Sequence, residues 1–184
     1  MAFDVVTGPV LTIYRDLTER RVELVITRIV EFANRDNMVV ENLFDDDIVA
    51  VAAMQNPWTR RRRIELAELV NEPWTLPSHD TGIGAFAIDA FRARGLKPPR
   101  TAVVTYSMHL RNRLLSTGRF VTILPTYAVT LAGKPASVKI LPVDLGNARG
   151  TLAIFTLKNR TLSPLAELFI KIARAVAKSL PKAR

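Results

Sequence analysis

The sequence predicts an α/β fold with mainly parallel strands. Short apolar segments alternate with segments whose apolar residues recur every three or four positions, the patterns of strands and amphipathic helices. The run at residues 48–53 is continuously apolar, which is typical of a strand covered on both faces. Alternation of strands with helices favours parallel pairing, because a helix is the usual connection between parallel strands.

Composition limits the class of protein. A chain of 184 residues can bury a sizeable core in one or two domains. It has no cysteine, which excludes disulfides and thiol catalysis. No apolar run approaches the ~20 residues that cross a bilayer, and no secretory leader is visible, so we expect a cytoplasmic protein without membrane contact. The net charge of +9 favours anionic partners.

The first part of the chain contains three predicted strands and one predicted helix. The strands are expected at residues 3–6, 24–27 and 48–53. The helix is expected to begin near Pro9, where the missing N–H of proline costs nothing. Its inward face is predicted from four apolar residues at helical spacing, namely Val10, Ile13, Tyr14 and Leu17.

The later part of the chain has clear start and stop signals. Helices are predicted at residues 82–94 before Gly95, after the capping residue Ser107, and after Ser163 and Pro164. Four strands are expected at residues 74–76, 102–106, 120–124 and 152–157. The last helix carries a long apolar stripe, which we expect to pack on the chain's own sheet; it comprises Leu165, Leu168, Phe169, Ile172 and Val176.

The segment around Trp74 is the most informative in the chain. Pro73 ends a helix predicted near Leu66 and Leu69, and Pro77 stops the short strand that contains Trp74. Asp80 or Thr81 can then cap the next helix. A strand that leads into a helix N-terminus presents unpaired backbone N–H groups, so this turn is a candidate anion site.

A second candidate lies at the N-terminus of the next helix. Both turns follow strand ends, so both can aim backbone N–H groups at one anion. Simple helix capping, without any ligand, is the alternative reading of both turns. The polar and flanking residues at the two turns are Ser78, His79 and Thr81 in the first, and Thr105, Ser107 and Met108 in the second.

The residues give little support for a catalytic site or a metal site. Ser78, His79 and Asp80 contain the letters of a catalytic triad, but neighbouring side chains diverge and cannot form the relay. Two histidines and no cysteine do not make a zinc site, and residues 45–47 lack the spaced ligands and glycine of a calcium loop. We therefore expect no enzyme activity, no metal and no cofactor.

Five motifs give the chain a family resemblance. They are RRVELVITR at residues 20–28, NPW at 56–58 after the strand at Val49, EPWTLP at 72–77, GRFVTILP at 118–125 and LKNRTLSP at 157–164. Their order and spacing resemble those of the effector-binding domain of LysR-type transcriptional regulators. In that family, an acidic-Pro-Trp-x-Leu-Pro strand leads into the small-molecule pocket.

The resemblance implies a two-lobed fold similar to type II periplasmic solute-binding proteins. Lobe I would comprise about residues 1–50 and 151–184, and lobe II about residues 51–150. Residues 1–5 correspond to the second strand of lobe I, so we expect lobe I to be incomplete at its N-terminus. The family also implies self-association as a dimer or tetramer, and DNA contact only through a helix-turn-helix domain absent from this chain.

In that model the ligand lies in the cleft between the lobes. Thr27 and Arg28 would face the two lobe II turns, with Arg28 as a carboxylate clamp. Phe120 and Tyr127 would form apolar walls, although core packing is the alternative for Phe120. The function implied is a sensing domain that binds a small, anionic metabolite; a solute-binding protein of a transport system, with the same fold, is the alternative.

Overall fold

The computed structural model describes residues 2–29, 36–130, 137–146 and 149–180, which contain five α-helices and seven β-strands. The helices are α1 (Val10–Thr18), α2 (Gly82–Arg92), α3 (Met108–Ser116), α4 (Thr126–Thr130) and α5 (Pro164–Ser179). The strands are β1 (Leu24–Arg28), β2 (Met38–Ala53), β3 (Trp74–Leu76), β4 (Thr101–Val104), β5 (Val121–Pro125), β6 (Val138–Ile140) and β7 (Arg149–Leu157).

The chain divides into two compact units. Unit 1 comprises Met1–Asp46 and Gly150–Arg184, and unit 2 comprises Asp47–Arg149. The long strands β2 and β7 each begin in one unit and end in the other. The lobe boundaries expected from the resemblance, at about residues 50 and 151, stay a prediction.

Unit 2 contains a mixed sheet with a parallel centre. Its strands lie in the order β4–β3–β5–β2, and β6 pairs with β2. β3 runs parallel to both β4 and β5, whereas β2 runs antiparallel to β5 and β6. The carboxyl ends of β3, β4 and β5 therefore meet at one edge of the sheet.

The core of unit 2 is built around Trp74, which is fully buried. Its ring meets Phe91 of α2 edge-on, with the ring centroids 5.7 Å apart. The indole N–H donates a 2.8 Å hydrogen bond to the carbonyl oxygen of Leu69. The side chain is thus apolar along its ring and satisfied at its one polar atom, which is what full burial of tryptophan requires.

Unit 1 packs α1 against an antiparallel pair of strands. β7 lies between β1 and β2 in the strand order. Tyr14 of α1 packs edge-on against Phe155 of β7, with centroids 5.1 Å apart, and Leu17 is fully buried. The predicted inward face of this helix is confirmed, with Val10 and Ile13 half-buried at its rim.

The strand predicted at residues 3–6 is wrong. The backbone of residues 2–9 is irregular, and Phe3, Val5 and Val6 are all exposed. A strand forms only where a neighbouring backbone satisfies its N–H and C=O groups. No described strand pairs with this segment, so apolar and β-branched composition alone does not fold it.

The predicted packing of the apolar stripe of α5 is also wrong. Leu168, Ile172 and Val176 are about half exposed, and the helix instead turns Ala166 and Ile170 inward. The buried residues thus form a stripe next to the predicted one. Helical periodicity identifies an apolar helix, but the stripe that packs depends on the shape of the surface beneath it.

Several element boundaries differ from the predicted ones. β2 begins at Met38, and its first half was not predicted because it is mostly half-buried or exposed and lacks the apolar run that marks its second half. The predicted helix near Leu66 is a single 3-10 turn, Leu66–Leu69. α2 ends at Arg92, and β4 spans only Thr101–Val104.

Two sets of hydrogen bonds stabilise the N-terminus of α5. The Ser163 hydroxyl oxygen accepts the N–H of Ala166, confirming the predicted cap. The carboxylate of Glu23 in turn accepts the backbone N–H of Ser163 at 2.8 Å and its hydroxyl at 2.9 Å. These two hydrogen bonds lower the pKa of Glu23.

This arrangement predicts a pH-dependent contribution to stability. The pKa of Glu23 in the folded chain lies below the ordinary carboxyl value of 4.5. The stabilisation is therefore complete above about pH 4.5 and is lost as the pH falls through the lower, folded-state pKa. Glu23→Gln should destabilise the chain by about 1 kcal/mol at pH 7, and by progressively less toward pH 3.

Thermal unfolding of both forms between pH 3 and pH 7 measures this difference. Glu72→Gln is the matched control, because the side chain of Glu72 makes no hydrogen bond within the described residues. A gap between the wild-type and Glu23→Gln melting temperatures that stays constant over the whole range would contradict the assigned role.

Candidate functional site

The two turns chosen from the sequence lie at one edge of the unit 2 sheet. One follows β3 and the other follows β4, and these strands are parallel neighbours. Because the carboxyl ends of parallel strands share an edge, the turns lie side by side. We call this group the strand-end site; its residues are Ser78, His79, Thr81, Thr105, Ser107 and Met108.

The turn after β3 is closed by Thr81. Its hydroxyl accepts the N–H of Gly84 at 3.0 Å and donates to the carbonyl oxygen of Ser78 at 2.7 Å. Thr81 is therefore the predicted cap, and its hydroxyl is already occupied. The side chains of Ser78 and His79 make no hydrogen bond to the described part of the chain, and His79 is exposed, so both are available to a ligand.

Gly84 is needed where α2 approaches the turn. A Cβ atom built on Gly84 would lie 2.0 Å from the carbonyl oxygen of Ser78, well inside any real contact. The first turn of α2 thus lies directly against the backbone of the candidate site. Sequence reasoning missed this glycine, because spacing does not show that two backbones touch.

The turn after β4 is tied to β3. The N–H of Thr105 donates to the carbonyl oxygen of Leu76 at 2.9 Å. The Thr105 hydroxyl oxygen accepts the N–H of Ser107, and the Ser107 hydroxyl oxygen accepts the N–H of Leu110. Ser107 thus caps α3 as predicted, while Met108 beside it is exposed and offers apolar surface.

A buried arginine that the sequence did not single out positions α3. Arg111 is 3% exposed and donates to the Thr122 hydroxyl at 2.9 Å and to the Ile123 carbonyl oxygen at 2.6 Å. The Thr122 hydroxyl donates onward to the carbonyl oxygen of Thr75. Burial lowers the pKa of Arg111 to about 10. The network joins α3 to β5 and β3, and so fixes where the α3 N-terminus lies.

Thr27 and Arg28 belong to unit 1. The Arg28 guanidinium donates to the carbonyl oxygens of Asp46 and Gly150, and one of its nitrogens lies 4.0 Å from the Asp46 carboxylate. A Cβ atom on Gly150 would lie 2.9 Å from the Arg28 side chain. Arg28 therefore ties β1 to β2 and β7; its role as a carboxylate clamp stays a prediction, as does that of Thr27.

Phe120 is not brought to the strand-end site. It precedes the first residue of β5, at the opposite end of that strand from the site, and packs against a cluster that contains Leu115 and Leu124. Core packing, the alternative weighed from the sequence, describes it better than a ligand wall. Tyr127 does follow the carboxyl end of β5 and is half-buried there.

Within residues 2–29, 36–130, 137–146 and 149–180, no group of three or more His, Asp or Glu side chains is placed to hold a metal ion. Across the same ranges no helix combines the length and apolar character needed to cross a membrane.

A sheet whose parallel strand ends lead into helix N-termini is the architecture of an α/β ligand-binding domain. Comparison with known proteins agrees, because the model of the LysR substrate binding domain family matches residues 1–178. The chain belongs to this family. It has the type II periplasmic-binding-protein-like fold of LysR regulatory domains, as the resemblance in the sequence implied.

One curated relative is the transcriptional dual regulator GltC of Bacillus subtilis. The two are 27% identical over 127 residues, which are 69% of this chain but 42% of GltC. The chain thus spans less than half the length of this relative, and the match supports the family assignment without carrying over the activity of the whole regulator.

Solved structures of regulatory domains share the fold. The CcmR regulatory domain of Synechocystis, in complex with 2-PG, is 16% identical with a TM-score of 0.76, over 92% of this chain and 80% of that one. The effector-binding domain of QuiR, in complex with shikimate, is 22% identical with a TM-score of 0.72, over 93% and 79%. The HypT regulatory domain of Salmonella typhimurium is 18% identical with a TM-score of 0.76, over 97% and 84%.

The close approach at Gly84 predicts a destabilised variant. Alanine is the better helix former by about 1 kcal/mol, but here its methyl group would strike the Ser78 carbonyl oxygen. We expect Gly84→Ala to lower the free energy of unfolding by about 1–3 kcal/mol, as overpacking does.

Urea unfolding followed by circular dichroism measures this loss. Gly8→Ala is the control, because a Cβ atom there would make only an ordinary contact, 3.8 Å from Ile13. An equal loss of unfolding free energy in Gly84→Ala and Gly8→Ala would contradict the close contact between α2 and the Ser78 carbonyl oxygen.

Proposed function

We propose that this chain is the effector-sensing domain of a LysR-type transcriptional regulator and that it binds a small anionic metabolite at the strand-end site. The observation that carries this proposal is the convergence of two helix N-termini, those of α2 and α3, at the ends of neighbouring parallel strands. Both helices are long enough to present several unpaired N–H groups toward solvent at that edge.

The chemistry of the site suits a carboxylate or phosphate group. Helix N-termini carry partial positive charge and donate backbone hydrogen bonds, both of which favour anions. Ser78 and His79 add side-chain donors that the fold does not use. The chain's net charge of +9 attracts anions at long range. Exposed Met108 supplies an apolar edge for the rest of the metabolite.

The structures of relatives support a small-molecule role. The CcmR domain was solved with 2-PG and the QuiR domain with shikimate. Shikimate carries a carboxylate, in keeping with the proposed anion preference. We propose that Thr27 and Arg28 of unit 1 also contact the ligand.

The wider biological role follows from the family. We propose a cytoplasmic regulator domain without catalytic activity, whose DNA contacts come from a helix-turn-helix domain that these 184 residues do not include. The family match favours this role over the alternative, a solute-binding protein of a transport system.

Ligand binding is tested by thermal shift and calorimetry with 2-PG, shikimate and inorganic phosphate as probes. A probe that binds only the folded chain should raise the melting temperature by mass action. Ser107→Ala should weaken binding several-fold, because it disturbs the α3 cap at the site; the loss of the cap itself costs about 1 kcal/mol of stability.

Ser163→Ala is the matched control for the lost cap. It removes the serine cap of α5, a helix at which no ligand contact is proposed, and because the Ser163 hydroxyl also donates to Glu23, the loss of stability should be at least as large. Affinity that falls equally in both variants would mean that lost stability, rather than lost contacts, is responsible. Affinity unchanged in Ser107→Ala would place the ligand elsewhere.

We propose that the chain self-associates as a dimer or tetramer. Leu168, Ile172 and Val176 form an exposed apolar face on α5, and such faces on soluble proteins mark interaction surfaces. Light scattering should report about two or four times the mass of one chain at micromolar concentration. Ile172→Glu should shift the population toward monomer, whereas the exposed polar substitution Lys171→Gln should not; a monodisperse monomer in the wild type contradicts the proposal.

A further inference from the structure

Unit 2 carries a group of exposed cationic side chains at the edge of its sheet opposite the strand-end site. Four of them are consecutive arginines that end and follow the 3-10 turn Pro57–Arg60, which comes after β2. A fifth precedes the start of β5, and the sixth lies in β6. We call this group the basic cluster; its members are Arg60, Arg61, Arg62, Arg63, Arg119 and Lys139, and all six are exposed.

Hydrogen bonds join the three segments that supply the basic cluster. The side-chain amide of Asn56, which caps the 3-10 turn, donates to the carbonyl oxygen of Gly118 at 2.9 Å. The ammonium group of Lys139 donates to the carbonyl oxygen of Thr59. Residues 59–63, 118–119 and 139 are therefore neighbours in space, although they are far apart in the sequence.

Two of the arginines are paired with carboxylates. Arg61 lies 3.0 Å from the carboxylate of Glu68, and its guanidinium lies over the ring of Trp58, 5.7 Å from the centroid. Arg63 lies 2.8 Å from the carboxylate of Glu65. Both arginines stay more than half exposed, so these pairs reduce the local charge without removing the guanidinium groups from the surface.

The remaining charge of the basic cluster has no carboxylate partner. Arg60, Arg62 and Arg119 make no side-chain hydrogen bond or ion pair within the described residues. Lys139 donates to a neutral carbonyl oxygen and so keeps its charge. Unit 2 contains twice as many Lys and Arg as Asp and Glu, whereas unit 1 contains nearly equal numbers. Most of the chain's net charge of +9 therefore belongs to unit 2.

The exposure of the basic cluster determines which kind of anion it suits. A compact anion is held by donors that converge in an enclosed site, whereas these side chains are spread over an open surface. A carboxylate of another protein gains little from an exposed arginine, because water and salt screen the pair. A nucleic acid differs, because each phosphate that an arginine neutralises releases condensed counterions, and this gain persists at an exposed surface.

We propose that the basic cluster binds the phosphate backbone of duplex DNA without reading its sequence. Guanidinium groups match phosphate oxygens in geometry, and four or more contacts to one backbone add their separate gains. The contact goes beyond the proposed function, which takes DNA recognition from another domain, and it involves unit 2 alone. In a complete regulator it adds affinity for DNA that flanks the bases read by the helix-turn-helix domain.

Fluorescence anisotropy with two labelled duplexes of about 20 base pairs and unrelated sequences tests the proposal in the full 184-residue chain. We expect both duplexes to bind with dissociation constants of about 1–100 μM at about 150 mM salt, within about twofold of each other. The logarithm of the affinity should fall linearly with the logarithm of the salt concentration, with a slope of about −4.

A triple variant removes the unpaired arginines of the basic cluster. The combination of Arg60→Gln, Arg62→Gln and Arg119→Gln should weaken binding about tenfold at about 50 mM salt and reduce the magnitude of the salt slope by about three. Lysine at the same three positions keeps the charge and should restore most of the slope, although lysine lacks the bidentate geometry.

A second triple variant controls for the loss of net charge. Arg15→Gln, Lys171→Gln and Lys178→Gln remove the same three charges from unit 1, at exposed side chains without a hydrogen bond or ion pair among the described residues. This variant should keep the salt slope of the wild type to within about one. Circular dichroism and melting temperatures confirm that both variants fold.

Four results would overturn the proposal. They are no binding of either duplex at about 50 mM salt, an equal loss in the two triple variants, an unchanged salt slope in the basic-cluster variant, and a preference of about tenfold or more for one sequence. Poly-glutamate that binds as tightly as DNA, and loses affinity in the same variant, would assign the surface to an acidic protein and would also refute the proposal.

Discussion

The burial of β3 is the constraint on which the rest of unit 2 depends. Its three residues are buried completely, and it pairs in parallel with β4 on one side and β5 on the other. Trp74 anchors it, through its ring against Phe91 and its N–H on Leu69. This strand positions both candidate turns. The first turn directly follows β3 in the sequence, and the second is hydrogen-bonded to Leu76 of β3 through the N–H of Thr105. The site is therefore positioned by the core and not by its own loops.

The second constraint is polar. Arg111 brings a charge into the core of unit 2 with no carboxylate paired to it among the described residues, an arrangement that costs desolvation energy. In return, it forms directed hydrogen bonds to β5 and, through Thr122, reaches β3. An apolar side chain of the same size would fill the space but would not specify how far α3 slides along the sheet. Specific placement of the α3 N-terminus is thus the structural consequence of burying Arg111.

The sequence predicted best where local chemistry determines the structure. The prolines on either side of β3 predicted where that strand begins and ends. The predicted caps Thr81, Ser107 and Ser163 each accept a backbone N–H at the N-terminus of their helix. The predictions were wrong where the structure depends on contacts with residues that are distant in the sequence. Residues 3–6 have strand composition but no paired neighbour, and α5 buries a stripe beside the expected one. Gly84 and Arg111 were missed for the same reason, since backbone contact and burial of a helix face arise only from tertiary packing.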